Sequence, residues 1–390
     1  MSAPLFSRSF LSIIVANLLL AVCFYALMPT LPLYLQETKG FTHGQLGVVV
    51  AAFSFSALVM RPFAGYLLDN NPRLWVYLPA VLLLCIGYGL YVFAAGFFSL
   101  LALRLYHGAV FGTASSSTAT LVADIVPRER MGQGIGLYSL TMPLGMTLGP
   151  FLGIGLLRWG GATTMFLLIM ALSSVSFALA LLVRVPPRPA SARRPFSLRG
   201  LIYARAIPAS ILMAVLALPY GAVMTFASVY AAERNFGNVD HFFLVLALAI
   251  IASRLATGRV FDRGGVRTLV VSCIVLAAAG LATIGLCNSE GMFMASSLLL
   301  GLGYGLAMPT AQAMVNRMAS PRRRGAANST YFLFFDVGIG SGSMLAGIIS
   351  QQISLSFVYQ AGALVALVMG GAAAWWALRH HAGQVAQADA

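Results

Sequence analysis

Twelve apolar runs succeed one another along the chain, and no other feature limits its fold so severely. They fall at roughly 10–35, 44–68, 75–95, 98–122, 132–158, 163–184, 206–231, 241–261, 268–287, 292–317, 326–352 and 355–379, each bounded by charge, glycine or proline. A membrane-spanning helix takes about 20 such residues. The 390 residues therefore accommodate twelve spans and leave almost nothing for a separate soluble domain. Charged residues make up 9% of the sequence, against about a quarter in a soluble domain, so lipid must cover what water cannot. The expectation is an all-α membrane protein with twelve transmembrane helices.

The formal charge of +14 could suggest nucleic acid, but the basic residues do not gather on one polar domain. Lys39 is the one lysine, and the arginines sit at the ends of apolar runs, where positive charge sets membrane orientation. An N-in, C-in arrangement puts about 20 arginines on the cytoplasmic side or at its membrane edge, with Lys39, Arg158 and Arg234 outside and Arg104 within the fourth run. Cys23, Cys85, Cys273 and Cys287 lie in or beside apolar runs, with no metal-ligand spacing, and read as small core residues. The first run is too long for a signal-peptide core and reads as a permanent span.

The longest polar stretch combines Arg188, Arg193, Arg194 and Arg199 with Pro186, Pro187, Pro189 and Pro195. Its proline content disfavours a packed fold, so it reads as a cytoplasmic linker. The expected division is a six-helix half over 1–184, a basic linker over 185–205 and a second six-helix half over 206–390. An internal repeat supports it: Arg61, Gly65 and Asp69 recur as Arg254, Gly258 and Asp262, at one offset of 193 residues. Two pseudo-symmetric halves around a midplane site are how transporters are built for alternating access.

The loop after the second run places Gly65, Asp69 and Arg73 on the pattern G-x-x-x-D-R-x-G-R-[RK], departing at Asn70 and Pro72; the second copy keeps Gly258, Asp262, Arg263, Gly265 and Arg267. In the fourth run Arg104 to Gly112 follows R-x-x-Q-G-x-x-x-[GA], with His107 in the place of glutamine. The fifth run carries Gly145, Gly149, Pro150 and Gly153 on G-x-x-x-G-P-x-x-G. On these three motifs the chain resembles the major facilitator superfamily, and within it the drug and proton antiporters. The fifth-run motif is characteristic of the exporting branches. The resemblance implies that Asp69 meets the start of the eleventh helix and Asp262 the start of the fifth, latching the cytoplasmic side. Physically, a carboxylate suits the positive N-terminus of a facing helix, and glycines four apart let another helix approach while proline bends the span. Gly338, Gly340, Gly342 and Gly347 form a second seam without the proline, suited to close packing.

An arginine several residues inside a span is costly without a cavity or partner. For Arg104 three readings stand open: proton coupling, structural pairing, and snorkelling to the outer interface. His107 shares its helical face and either titrates or is a satisfied structural residue. Among ten acidic residues, Asp336 alone lies well inside a run, beside Phe335 and the glycine seam. Desolvation there favours an exchangeable proton, with a structural partnership as the alternative. The first run lacks the carboxylate that several drug antiporters carry. The inner helices implied by the resemblance offer Tyr25, Tyr138, Met142, Tyr220, Met224, Tyr304, Met308, Gln312 and Phe335 as a group of lining residues; methionine and aromatic rings repack around varied ligands.

No phosphate loop, metal-spaced cluster or nucleophile elbow is visible, so enzyme chemistry, a metal site and a cofactor are not expected. The expected function is export of a small organic solute by proton antiport. A proton-coupled importer of a sugar, organic acid or nucleoside is the alternative, and a receptor that binds without turnover is a more distant one. The expected partners are a small-molecule substrate, protons and the lipid bilayer, with no nucleic acid; the resemblance implies a monomer. Arginine in near-total preference to lysine suggests a GC-rich bacterium, and hence the cytoplasmic (inner) membrane.

Overall fold

A computed structural model describes residues 6–388 apart from 95, 128–129, 131–133, 135–136, 139, 186–201, 238, 263–264 and 319–323; side chains are also undescribed at 69, 143, 147, 255–256, 258–259, 261–262, 324–326 and 381–388. The described residues are almost wholly helical. The helices are α1 (Arg8–Lys39), α2 (His43–Asn70), α3 (Arg73–Leu90), α4 (Phe97–Ile125), α5 and α6 within Thr141–Leu181, α7 (Ile207–Glu233), α8 (Val239–Asp262), α9 (Val266–Leu286), α10 (Glu290–Arg317), α11 (Arg324–Gln352) and α12 (Leu355–Ala388). The break between α5 and α6 is Gly161, at φ 72° and ψ 179°, a conformation open in practice only to glycine. Among the described residues ten stretches are long and apolar enough to cross a membrane, counting α5 with α6 as one. The expected linker falls largely on 186–201 and so lies outside the described residues.

By packing, the chain divides into one unit of residues 1–30 and 52–196 and a second of 31–51 and 197–390. In the second unit α7 packs on α11 and α12, and α10 on α8 and α9; in the first, α3 packs on α4 and on the α5–α6 segment. Spanning helices gain little from burying apolar surface away from lipid tails, so they associate through close van der Waals contact at small residues. The glycines show this directly. A Cβ at Gly145, Gly149 or Gly153 would collide with α1 at Ala21, Tyr25 and Ala26, so the whole fifth-run motif faces α1. In the second unit Gly338 and Gly342 press on α7 at Ala214 and Leu218.

These contacts repeat at the offset already seen in the loops. Gly145 on Ala21 and Gly149 on Tyr25 become, 193 residues later, Gly338 on Ala214 and Gly342 on Leu218. Likewise Gly108 on Phe53 and Gly112 on Ala57 become Gly301 on Leu246 and Gly305 on Ile250. Each half thus packs its first helix on its fifth, and its second on its fourth, through the same positions.

Hydroxyl groups within the spans are largely bonded inside their own helix. In α4, Thr113, Ser117, Thr118 and Thr120 each donate to the carbonyl four residues back, at 2.7–2.9 Å, which satisfies them without a partner helix. Large apolar side chains remain exposed along α12, among them Leu364, Leu367, Val368 and Met369, a continuous face of the kind that lipid covers.

Gly342→Ala should cost at least about 1–3 kcal/mol through overpacking, because the new Cβ meets the Leu218 carbonyl. Gly371→Ala, which meets nothing within 4 Å and lies inside α12, should hold or slightly raise the melting temperature in detergent. Equal melting of the two variants would refute the packing role.

Candidate functional site

The most unusual side chain in the first unit is Arg104. It sits seven residues into α4 and is 3% exposed. Its guanidinium carbon lies 5.4 Å from the centre of the Phe53 ring on α2 and 5.9 Å from that of Tyr91. Ring faces attract a cation, and the Tyr91 hydroxyl is a polar neighbour. No ion pair to Arg104 forms among the described residues, and its Nε has no hydrogen-bond partner.

His107, one turn on, is 1% exposed. Its Nδ1 is 3.1 Å from the Tyr91 hydroxyl, its ring packs edge-on to Tyr88 at 4.5 Å and to Phe53 at 5.9 Å, and its Nε2 has no partner. Gly87 leaves the space that the Tyr106 and His107 rings occupy. Phe24, half-buried on α1, stacks on Phe53 at 5.1 Å and on Phe111 at 4.6 Å. The aromatic frame of Phe53, Tyr88, Tyr91 and Phe111 was not among the residues selected from sequence. Nothing in the spacing of aromatic residues within separate apolar runs tells which ring meets which.

Asp336 lies twelve residues into α11, half-buried and interacting with other residues. Phe335, Met308 and Gln312 are also half-buried. Gln312 donates to Asn328 Oδ1 at 3.2 Å, and Asn328 donates to Asn316 Oδ1 at 2.8 Å, an amide network between α10 and α11. Its two asparagines were not selected from sequence. Tyr220, Met224 and Tyr304 are buried, with the two tyrosine rings 4.4 Å apart between α7 and α10. In the first unit Tyr25, Tyr138 and Met142 are half-buried, and Pro150 lies buried inside the Thr141–Leu181 segment. A cleft of about 330 Å³ between the ends of α3 and α4, lined by Leu90, Phe93, Leu103 and Tyr106 among others, contains none of the selected residues.

Of the loop motifs, Arg73 finds a definite partner. Its guanidinium bonds to the Asp124 carboxylate and to the Thr120 carbonyl, the latter at 2.9 Å, and so ties the start of α3 to the end of α4. Arg61 and Arg254 are half-buried and partnered, Gly65 is open to space, and Arg267 is exposed beside Gly265 at the start of α9. The side chains of Asp69 and Asp262, and the surroundings of Gly258 and Arg263, lie outside what is described, as does the expected latch with them. No cluster able to hold a metal occurs among the described residues.

A second polar cluster, unforeseen from sequence, lies in the second unit at the α1–α2 turn. His43 Nε2 stands 2.9 Å from Glu233 Oε1, and Gln36 donates to the same oxygen at 3.2 Å. Gly44 N–H donates to Gln351 at 3.2 Å, and Gly47 and Gly347 approach closely, so this turn is bound to both α7 and α11.

Removal of one member of a buried ion pair costs about 3–5 kcal/mol. With the Asp124 side chain 21% exposed, Asp124→Asn should fall at or below the lower end, about 3 kcal/mol or less, and reduce the melting temperature. Arg73→Met with Asp124→Leu should recover part of the loss; an unaltered melt for Asp124→Asn would show the pair to be inert.

The sequence model of the Major Facilitator Superfamily matches residues 13–286 and 242–390. An Escherichia coli (strain K12) protein described as the uncharacterized MFS-type transporter YhhS is 25% identical over 356 residues, spanning 88% of this chain and 86% of that one. The staphylopine export protein of Staphylococcus aureus (strain Mu50) is 24% identical over 349 residues, spanning 85% and 87%. Among solved structures, a bacterial homolog of the human lysosomal transporter Spinster aligns over 98% of this chain and 99% of its own, with a TM-score of 0.79 at 16% identity. The nucleoside transporter NupG aligns over 94% and 98%, with a TM-score of 0.74 at 15% identity.

Proposed function

The chain belongs to the major facilitator superfamily and is a multi-pass membrane transporter, not an enzyme, and on that premise we propose that it exports a small organic solute in exchange for protons by alternating access. The observation that carries this reading is the packing of α5 on α1. Gly145, Gly149 and Gly153 are all spent on one face against α1, with Pro150 in the same stretch. A close, proline-containing seam of this kind is suited to two helices that move as one body. The staphylopine export protein, similar over most of both chains, is an exporter by its name, which favours the same direction.

Asp336 is the proposed proton site. A half-buried carboxylate in the middle of an apolar helix is expensive unless protonated or paired, so protonation and substrate occupancy each favour a different conformation and the proton gradient biases the cycle. Tyr25, Tyr138, Met142, Met308, Gln312 and Phe335, all half-buried, are the proposed lining residues, while Tyr220, Met224 and Tyr304 would serve by shaping α7 against α10. The proposed setting is the bacterial inner membrane, N-in and C-in, with a monomer as the working unit and the 185–205 linker joining the halves. The distribution of arginines supports that orientation.

Accumulation of a panel of dyes and antimicrobials in pump-deficient bacteria tests the proposal. Wild type should lower accumulation, and both a protonophore and Asp336→Asn should abolish the effect at equal membrane expression. Raised accumulation with wild type would reverse the direction and make the chain an importer. Asp69→Asn should insert normally yet slow turnover; an unchanged rate would remove the loop carboxylate from the gating cycle.

A further inference from the structure

The structure assigns Arg104, with His107 beside it, as the site that binds the anionic group of a small organic carboxylate, the solute of the transport reading above. Four observations converge. Arg104 is a permanently charged group, nearly fully buried, whose Nε has no partner and which forms no ion pair among the described residues. Phe53 and Tyr91 offset part of the desolvation through their ring faces, but neither supplies charge.

Nor do the described residues of the first unit hold a carboxylate that could reach it. The acidic residues of that unit are Asp69, Asp124 and Glu129. Asp124 lies 20 residues further along α4, about 30 Å at the helical rise of ~1.5 Å per residue, and Asp69 lies 16 residues beyond Phe53 on α2, about 24 Å. Glu129 follows the end of α4, and Asp124 is already bound to Arg73.

His107 adds a second orphan nitrogen to the same neighbourhood. Arg104 and His107 share Phe53 and Tyr91 as neighbours, each within 6 Å, and each has one buried nitrogen without a partner. Together they offer one fixed charge and a second polar contact to an anion, in a setting that a guanidinium fork suits geometrically.

The internal repeat shows that the fold itself does not demand these residues. The positions 193 residues on from Phe53, Tyr88, Tyr91, Arg104 and His107 are Leu246, Leu281, Ile284, Ser297 and Leu300. The glycine contacts around them are kept, Gly301 on Leu246 and Gly280 on Leu300, and Ser297 is satisfied by the Met294 carbonyl at 2.7 Å. The same packing is thus made in the second half without charge. The cation and its aromatic cage are an addition to the first half alone. The stack that covers Arg104 ends at half-buried Phe24, and displacement of these rings is the route by which a carboxylate with an aromatic or apolar body enters.

Equilibrium binding to the full-length protein in detergent tests this, with benzoate, 1-naphthoate and hexanoate each set against its neutral amide. Wild type should prefer at least one carboxylate over its amide by about tenfold or more. Arg104→Gln should bring that pair to parity, and Arg104→Lys, which keeps the charge but loses the planar fork, should weaken the preference. If Arg104→Gln does not fold, Arg104→Lys decides. A wild type without preference in any pair, or an Arg104 variant that keeps it in full, overturns the inference. Binding needs no gradient, so a carboxylate preference without proton-driven efflux would leave this site standing and remove only the antiport reading.

Discussion

Close approach of helix backbones at glycine is the contact on which the rest of this molecule depends. In lipid, apolar side chains gain little by turning inward, so the helices are held by van der Waals contact at positions where no side chain intervenes. Gly108 lies against the Phe53 carbonyl, Gly145 and Gly153 against α1, and Gly342 against the Leu218 carbonyl. Side-chain packing of the ordinary kind fills in around these seams; Tyr220 on Tyr304 is one example.

Many polar groups in this scaffold find a partner close by. The serines and threonines of α4 are satisfied by their own helix, and Arg73 takes both a carboxylate and a carbonyl on α4. Gln312, Asn316 and Asn328 satisfy one another. Against that background Arg104, buried against ring faces with no ion pair among the described residues, stands apart from Arg73, and a buried charge of that sort is one that proteins keep for function.

Contact-level repetition gives the exception its meaning. Because the two halves use the same glycines on the same partner positions at one offset, they serve as controls for each other. Where one half sets Arg104 and His107 among Phe53, Tyr88 and Tyr91 and the other sets Ser297 and Leu300 among Leu246, Leu281 and Ile284, with Tyr304 keeping a ring at the position of Phe111, the difference cannot be ascribed to helix packing. The same comparison sets Pro150 against Ser343, whose hydroxyl is occupied by the Gly221 and Ile339 carbonyls.

The sequence by itself determined the class of fold, the helical spans and the repeat, because hydropathy over about 20 residues and the placement of arginine are written locally. It also singled out Arg104 and Asp336, since charge inside an apolar run is visible without any coordinates. Tertiary structure alone decided what those residues meet. That α5 turns its glycines to α1, that Arg73 binds Asp124, that His43 reaches Glu233, and that Phe53, Tyr88 and Tyr91 enclose His107 and Arg104 all join residues from separate helices. A run of apolar residues looks alike on every face, so its periodicity carries no record of which neighbour it meets. That choice is made only when the backbones come close enough for shape to discriminate.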